Sequence, residues 1–336
     1  MKILIIKLGA IGDVIRTTSI LPGLKKKYKN CKIDWITKKE SFDVLKNINS
    51  INRIYLIEQN TIKKLKYKNY DLVISLDDDD SACELAAEIN SKKIVGTYLS
   101  DNQKTYTKDS SLWFDMGLLS RFGKKKADKL KAKNKKTYQE IMYRILGLKY
   151  KKQEPILVLD KKSLNFAKKF AQKNNIKKTD LVVGINTGAG GRWQDKKLSV
   201  EKTVELIDKL NKEMSNAKIL LFGGPEEKRR NEKIKRLIKT KIIDAGCDNS
   251  LMEFVSLVNL CDILVTSDSL ALHIGIGLKK KLVCFFYVTS ANEIELYNRG
   301  LKVIGKGKDY CSYKPKCDYP PEWDINEIVN AVKSLI

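Results

Sequence analysis

Four short segments of the sequence carry residues that could do chemistry, and each directly follows an apolar run. In the first, LGAIGD, Gly9 and Gly12 lead to Asp13. This loop lacks the three-glycine fingerprint of dinucleotide sites and the Lys-Ser/Thr pair of a Walker loop. A fixed carboxylate at a helix start also takes the place of a bound anion and repels a second one. We therefore predict that Asp13 presents its carboxylate to a cleft; the alternative is a helix-capping aspartate.

The second segment, INTGAGGRWQDKKLS (185–199), has the composition of a diphosphate site. Its glycines let backbone amides approach a ligand, while Thr187, Arg192 and Lys196 add a hydroxyl and two cations. In the third segment, FGGPEEKRR, Glu226 either favours a helix start or binds ribose hydroxyls. In the fourth, VTSDSLALHIGIG, the hydroxyls and amides at a helix start again suit an anion.

Two further features allow both a functional and a structural interpretation. His273, the one histidine of the sequence, lies one turn into the helix of the fourth segment, where it either packs in the core or lines a cleft. The acidic run DDDD (77–80) follows a strand and could bind Mg²⁺. Adjacent acids at a helix start point in different directions, however, so we expect a solvated helix start and no metal site.

The elements that must position these segments are short apolar runs that alternate with helix-period stretches. Continuous Val/Ile/Leu runs predict strands covered on both faces, and their alternation with helices predicts parallel sheets. The predicted strands are residues 2–8, 32–37, 53–57, 70–76, 93–99, 181–186, 218–224, 241–246, 262–267, 281–287 and 301–305. The predicted helices include residues 14–27, 81–90, 137–148, 198–213, 225–238, 250–261 and 269–278. In open parallel sheets ligands collect at the carboxyl ends of the strands, which is where the four segments fall.

The length of 336 residues exceeds one typical core and suffices for two domains. Pro155 interrupts any helix in the stretch that separates the two halves. We predict α/β domains over residues 1–154 and 155–322. Residues 323–336 form an amphipathic C-terminal helix, with Asp324 as its N-cap, that can pack back on the N-terminal domain.

The net charge of +25 comes almost entirely from lysine, since the chain has nine arginines. Arginine is the usual reader of phosphates and base edges, and no helix-turn-helix, RRM or zinc pattern occurs, so a basic nucleic-acid-binding α/β protein is the weaker alternative. The missing GxGxxG argues in the same way against a dehydrogenase. The lysine-dense stretch 121–140 is expected to be a mobile loop or an exposed helix.

The cysteines and the apolar content indicate a cytoplasmic protein. Seven cysteines, an odd number and mostly inside apolar runs, predict reduced thiols. Cys311 and Cys317 are the one close pair, and without a nearby histidine they predict a loop feature rather than a metal site. Because the sequence contains no run of eighteen apolar residues, we predict no membrane span. The N-terminal apolar run is expected to be a first core strand, not a signal peptide.

The four segments, in this order, resemble glycosyltransferase family 9, the bacterial lipopolysaccharide heptosyltransferase family. The matching stretches, which span nearly the whole chain, are ILIIKLGAIGDVIRTTSILPGLKKKY, YDLVISL, NTGAGGRW, LLFGGPEE and SDSLALHIG. The resemblance implies a GT-B fold, in which two Rossmann-like parallel-sheet domains face a central cleft, the first binding the acceptor and the second the nucleotide-sugar. It implies an inverting, metal-independent transferase without a cofactor. Its donor is expected to be ADP-heptose and its acceptor a membrane-anchored anionic glycolipid of the inner core.

The resemblance also implies roles for particular residues. Asp13 corresponds to the proposed general base, and the donor-binding residues are Thr187, Gly188, Arg192, Glu226, Asp268, Ser269 and His273. For the acceptor we expect Lys7, Lys124, Lys125 and Lys126, and the last three could also draw the protein to a membrane surface. Leu270 departs from the family, which has glycine at that position, and a leucine side chain would crowd a ligand that glycine admits. A different donor sugar or a protein acceptor remains an alternative.

Overall fold

The structure, a computed structural model, describes residues 1–191 and 193–336 and divides into two compact α/β units. The units are Met1–Val158 with Asn292–Glu295, and Leu159–Ala291 with Leu296–Ile336. The sequence-based boundary between residues 154 and 155 falls in the stretch 151–160, which has neither helix nor strand. Among the described residues no helix is both long enough and apolar enough to cross a bilayer.

The first unit is built on a sheet whose central strands are buried on both faces. Its strands are β1 (Lys2–Ile6), β2 (Lys32–Thr37), β3 (Arg53–Leu56), β4 (Leu72–Ser75), β5 (Ile94–Ser100) and β6 (Gln103–Tyr106). They lie in the order β3-β2-β1-β4-β5-β6, and all neighbours are parallel except β5 and β6. The five strands predicted for this half are present. β6 was not predicted because its sequence, QKTY, contains no apolar run.

The helices of the first unit are α1 (Ile11–Thr17), α2 (Ile20–Lys27), α3 (Lys39–Leu45), α4 (Gln59–Lys66), α5 (Asp80–Glu88), α6 (Ser111–Phe114), α7 (Lys124–Lys133) and α8 (Tyr138–Ile145). The single helix predicted over 14–27 is two helices. At the break, the hydroxyls of Thr18 and Ser19 donate to the carbonyl oxygens of Ile15 and Arg16, at 2.6 and 2.8 Å, and such local side-chain bonds compete with the backbone bonds of a helix. In the lysine-dense stretch, α7 is an exposed helix.

The second unit repeats the same architecture. Its strands are β7 (Val182–Asn186), β8 (Lys218–Phe222), β9 (Ile243–Asp244), β10 (Ile263–Ser267), β11 (Lys281–Phe286) and β12 (Gly300–Ile304). They are all parallel and lie in the order β12-β11-β10-β7-β8-β9. The predicted strands of this half are confirmed, although β9 is much shorter than residues 241–246.

The helices of the second unit are α9 (Lys161–Lys173), α10 (Val200–Glu213), α11 (Lys228–Leu237), α12 (Leu251–Val258), α13 (Leu270–Gly277) and α14 (Ile325–Lys333). The predicted cap of α14 is confirmed, because Asp324 Oδ1 accepts from the Asn326 amide at 2.9 Å. This helix belongs to the second unit. Its buried face, Ile328, Val329 and Val332, joins the core of the second unit against α10 and β11.

Each sheet has one place where the direction of strand addition reverses. In the first unit this place lies between β1 and β4, and in the second between β7 and β10. Loops after such strands diverge and leave a crevice at the carboxyl ends, where open α/β sheets bind their ligands. The first and fourth segments and the loop 187–199 all leave the sheets at these two places.

Candidate functional site

The glycine loop after β1 leads into α1, which presents Asp13. The helix begins at Ile11, and Ala10 before it makes no side-chain capping bond, so Asp13 is the third helical residue and not the cap. Its Oδ1 lies 2.9 Å from Nη2 of Arg16, one turn further on, and 34% of the Asp13 side chain remains exposed. Asp13 is therefore not the N-cap of α1, and its carboxylate is partly accessible and paired with Arg16.

Arg16 is itself held by aromatic side chains. Its guanidinium lies 3.9 Å from the centre of the Tyr138 ring and 5.6 Å from that of Trp113, in the range of cation–π contacts. The Tyr138 hydroxyl lies 2.7 Å from Oγ1 of Thr17. Burial raises the pKa of Tyr138, against the opposing charges of Lys7 and Arg16, so the phenol stays neutral. A stacked arginine has few orientations, and it limits those of the Asp13 carboxylate.

Lys7, at the end of β1, is buried against Asp77, which follows β4. The Asp77 carboxylate pairs with the Lys7 ammonium and accepts from the amides of Leu8 and Gly9, the latter at 3.0 Å. Burial by itself would lower the pKa of Lys7, but the negative charges of Asp77 and Asp13 raise it above its ordinary value. A Cβ on Gly9 would lie 2.7 Å from Asp77 Oδ1, so a larger residue here would have to displace the Asp77 carboxylate. Lys7 therefore stabilises the conformation of the glycine loop after β1 through its buried ion pair with Asp77.

The acidic run of residues 77–80 is only in part the solvated helix start that the sequence predicts. Asp79 is the N-cap of α5 and accepts from the Ala82 amide at 2.9 Å, and the exposed Asp80 pairs with Lys104 at 2.9 Å. For Asp77 the prediction is wrong, because this residue is 8% exposed and makes the ion pair described above. Its position directly after a buried strand was the available signal.

In the second unit, Asn186 at the end of β7 ties the glycine loop to the end of β10. Its Nδ2 lies 2.8 Å from the Gly188 carbonyl oxygen, 3.1 Å from Oγ1 of Thr266 and 3.4 Å from Oγ of Ser269. Oγ atoms of Thr266 and Ser269 are 3.0 Å apart. The sequence indicated Gly188 and Ser269 separately. The structure brings them together through an asparagine that was not predicted.

Asp268, directly after β10, is the centre of a charged cluster. Lys196 donates to its Oδ2 at 2.9 Å and to its carbonyl oxygen at 3.1 Å, and the Thr289 hydroxyl donates to the same Oδ2 at 2.6 Å. Nε2 of His273, which is buried, lies 3.9 Å from Oδ1. Burial opposes ionisation of Asp268, but the charges of Lys196 and His273 and the bond from Thr289 hold its pKa well below the ordinary range. Asp268 is thus a fixed anion that positions a cation.

Thr187 points into the second unit. It is 6% exposed, and its hydroxyl lies 3.0 Å from the Phe222 carbonyl oxygen and 2.7 Å from Oδ1 of Asn231. Since a hydroxyl has one proton to donate, these acceptors use it within the protein. Thr187 accordingly fastens the start of the glycine loop to the end of β8.

The two adjacent glutamates after β8 differ in exposure and in their contacts. Glu227 is 4% exposed, accepts from the Gly224 amide at 3.1 Å and pairs with Lys197 at 3.3 Å. Glu226 is exposed, and its carboxylate lies beside the glycine loop, where a Cβ on Gly191 would be 3.2 Å from Oε2. Of these two glutamates, it is Glu226 that presents its carboxylate to solvent next to that loop.

The remaining predicted residues lie elsewhere. Arg192 falls outside the described residues. Lys124, Lys125 and Lys126 are exposed on the first turn of α7, and Lys124 pairs with Asp128 at 2.6 Å. Cys311 and Cys317 are free thiols, and the Cys317 amide donates to Asp195 at 2.7 Å.

The arrangement divides the chemistry between the units. The first presents a carboxylate that can accept a proton. The second presents amides, hydroxyls and the cation Lys196 at the N-terminus of α13, which suits an anion such as a diphosphate. Leu270 is the first residue of α13 and is half-buried in a right-handed helical conformation, so the backbone here does not require the glycine of the family motif.

Two open sheets with Rossmann strand order, each carrying polar side chains at its switch point, define a GT-B type α/β protein. Solved structures share this fold. The family 9 glycosyltransferase of Veillonella parvula is 17% identical with a TM-score of 0.77, covering 99% of this chain and 96% of its own. Escherichia coli heptosyltransferase WaaC with ADP is 16% identical with a TM-score of 0.67, covering 100% of both chains.

The family is defined by sequence as well. Residues 59–320 match the model of glycosyltransferase family 9 (heptosyltransferase). Lipopolysaccharide heptosyltransferase 1 of Campylobacter coli is 24% identical over 330 residues, which are 94% of this chain and 92% of that protein. The chain belongs to glycosyltransferase family 9, and it is a glycosyltransferase. The predicted family and fold class are confirmed.

Proposed function

We propose that this chain transfers heptose from ADP-heptose to an acceptor of the lipopolysaccharide inner core. The Campylobacter coli relative is a lipopolysaccharide heptosyltransferase, and WaaC of Escherichia coli has been solved with ADP and with ADP-2-deoxy-2-fluoro heptose. The observation that carries the proposal is the Lys196–Asp268 cluster beside the glycine loop, at the switch point of the second sheet. It offers positive charge and hydroxyls where a nucleotide diphosphate would lie.

In this proposal the second unit binds the donor. The diphosphate lies at the loop after β7 and the first turn of α13, and Lys196 and Arg192 neutralise its charge, as a metal ion does in other transferases. Ser269 donates to a phosphate oxygen. Glu226 accepts hydrogen bonds from the ribose, since it is the exposed carboxylate beside the glycine loop. Asp268 orients Lys196. Neither Asp268 nor His273 itself needs to contact the donor.

Thr187 and Gly188 contribute through the shape of the loop. The Thr187 hydroxyl is already donated inside the unit, so its role is to fix where the loop begins. Gly188 packs against Glu227, where a Cβ would lie 2.8 Å from Oε2, and its missing side chain keeps the loop close to β8. Both residues therefore determine where the loop amides point.

Asp13 is the proposed general base. As the acceptor hydroxyl oxygen attacks the anomeric carbon, its proton passes to the Asp13 carboxylate. The new bond from carbon to acceptor oxygen forms while the bond to the diphosphate oxygen breaks on the opposite face, so the configuration inverts. The pair of electrons leaves on the diphosphate, whose growing charge the cations of the second unit stabilise. Arg16, whose Nη2 lies 2.9 Å from Oδ1 of Asp13, orients the carboxylate before transfer.

The acceptor proposal rests on the first unit. Lys124, Lys125 and Lys126 are exposed, and an inner-core glycolipid bears phosphates and acidic sugars that they can attract. Lys7 is 5% exposed and paired with Asp77, so its proposed contribution is to hold the Asp13 loop rather than to touch the acceptor.

The test separates donor from acceptor chemistry. ADP-heptose should raise the melting temperature and UDP- and GDP-sugars should not; preferential stabilisation by a UDP- or GDP-sugar would overturn the donor assignment. Asp13→Asn should keep the shift caused by ADP-heptose but lose transfer to an inner-core acceptor by roughly 10²–10⁴-fold. Asp43→Asn is the matched control, because Asp43 also pairs with a cation three residues on, at 2.9 Å, and should transfer normally. Undiminished transfer by Asp13→Asn would remove Asp13 from the mechanism.

A further inference from the structure

The surface around α7 combines exposed apolar side chains with unbalanced positive charge. Residues 118–136 contain nine lysines and arginines and one acid, Asp128. That acid is paired with Lys124 at 2.6 Å, and Arg121 is paired with Asp115, outside this range, at 3.4 Å, so these acids offset two of the nine cations. Leu118 is 82% exposed and Phe122, just before α7, is 45% exposed. Exposed leucine and phenylalanine side chains among many lysines are the combination that segments lying on a membrane surface present.

Helix α7 and Phe122, two residues before it, form a groove of about 560 Å³. It is lined by Phe122, Lys125, Lys126, Lys129, Leu130 and Lys133. The lysines recur along one face of α7, opposite the buried Ala127. The Lys126 ammonium lies 3.8 Å from the centre of the Phe122 ring. The groove is therefore lined mainly by lysine side chains and the Phe122 ring, and lysine side chains of this kind snorkel at a lipid interface.

An anionic bilayer surface matches both halves of this pattern. Lipid phosphates pair with the ammonium groups, and the boundary of the acyl chains accepts Leu118 and Phe122. A nucleic acid would use the charge but leave the two apolar side chains in water, and the segment offers a single arginine, Arg121, for phosphate forks.

We propose that residues 118–133 are a membrane-interface anchor, with α7 lying in the plane of an anionic bilayer and Leu118 and Phe122 inserted below the headgroups. Only the role of the anchor, which is to bring the enzyme to a lipid-linked acceptor, depends on the proposed function. Binding to the bilayer itself requires no glycan, so it can be tested apart from transfer.

The apolar part is tested by co-sedimentation with vesicles of phosphatidylethanolamine and phosphatidylglycerol at about 0.1 M salt. The full chain should bind these vesicles and not pure phosphatidylcholine. The double variant Leu118→Ser, Phe122→Ser keeps the charge and should bind at least about tenfold more weakly. Tyr67→Ser is the control, because Tyr67 is 90% exposed outside the segment. Equal binding by the double variant and the wild type would overturn insertion.

The charge part uses a matched pair of variants. Lys129→Ser with Lys133→Ser should weaken vesicle binding by about fivefold per lysine. Lys168→Ser with Lys169→Ser removes the same charge from exposed positions of α9 and should have little effect. Equal losses in the two variants would mean that net charge alone acts, and would overturn the anchor. The vesicles carry no glycan, so failure here leaves the donor proposal intact, and an unchanged melting shift with ADP shows that each variant is folded.

Discussion

Replacing Lys196 by methionine removes the cation at the centre of the proposed donor site and keeps most of its aliphatic stem. In the wild type its ammonium lies 2.9 Å from Asp268 Oδ2, and the two side chains are only 10% and 17% exposed. The substitution therefore leaves a largely buried carboxylate without its main counterion. The hydrogen bond that the Thr289 hydroxyl donates to Asp268 at 2.6 Å remains.

The size of the effect follows from the distance and the burial. Two unit charges 2.9 Å apart attract by about 6 kcal/mol at an effective dielectric constant of about 20. Part of this attraction offsets desolvation in the wild type, and breaking a buried pair by removing one partner costs about 3–5 kcal/mol. With the Thr289 bond retained, we expect a loss of about 3 kcal/mol in unfolding free energy. For a unit of this size that corresponds to a fall of roughly 6–12 °C in the melting temperature.

The pH dependence provides a second signature. The pKa of Asp268 is held below its ordinary value, so the stability that it contributes is present above about pH 4 and is lost as the pH falls through the lower, folded-state pKa. Asp268 therefore stays ionised between about pH 8 and 5.5 and causes no change in wild-type stability in that range. In the Lys196→Met variant, Asp268 loses the nearest charge that holds its pKa down, so its carboxyl should bind a proton at a higher pH than in the wild type. The deficit of the variant should thus shrink as the pH falls below about 4, where protonation removes the unpaired charge.

Calorimetry of the wild type, Lys196→Met, Asp268→Asn and the double variant measures both effects. The double variant should be less destabilised than the sum of the single ones, because it contains no unpaired charge. A coupling energy below about 0.5 kcal/mol would refute the electrostatic reasoning. Donor binding is measured on the same samples: Lys196→Met should lose most of the melting shift caused by ADP, and an unchanged shift would exclude Lys196 from the phosphate site.

Three further predictions concern the loops. Gly9→Ala places a Cβ 2.7 Å from Asp77 Oδ1 and should lower the unfolding free energy of the first unit by about 1–3 kcal/mol in denaturant titrations. An unchanged unfolding free energy would contradict this prediction and show that the loop moves away freely. Glu226→Gln should weaken ADP binding about tenfold in calorimetry without destabilising the protein, whereas Glu227→Gln should cost about 1–2 kcal/mol of stability; the reverse pattern would exchange their roles. Thr187→Val should destabilise by about 1–3 kcal/mol, since buried acceptors lose their donor, and a change in ADP affinity without a change in melting temperature would instead indicate direct contact.

The sequence by itself determined the fold class and the positions of the loops. Continuous runs such as ILII and ILVT are buried on both faces, and only parallel sheets covered by helices give such runs that environment. Because ligand loops follow the carboxyl ends of these strands, the four segments could be located without coordinates. The cap at Asp324 was equally local, since it depends on an amide two residues away.

What the tertiary structure decided is the direction in which each side chain points. Four adjacent aspartates look alike in sequence, yet Asp77 alone is buried, because its partner Lys7 is 70 residues away and becomes a neighbour only when β1 pairs with β4. Glu226 and Glu227 differ in exposure for a similar reason, since one turn of backbone directs the second toward Lys197. No local pattern encodes these distances.

The same limit explains the residues that sequence analysis did not single out as partners. Lys196 and Asp268 are 72 positions apart and meet because β7 and β10 are adjacent strands. Thr187 is a residue type that often binds phosphate, but its hydroxyl donates inward, to acceptors on β8 and α11 that the packing of these elements brings close. Local periodicity and turn chemistry thus determined which elements form and which loops carry chemistry, whereas the pairing of charges and the direction of hydrogen bonds arise only when distant strands come together.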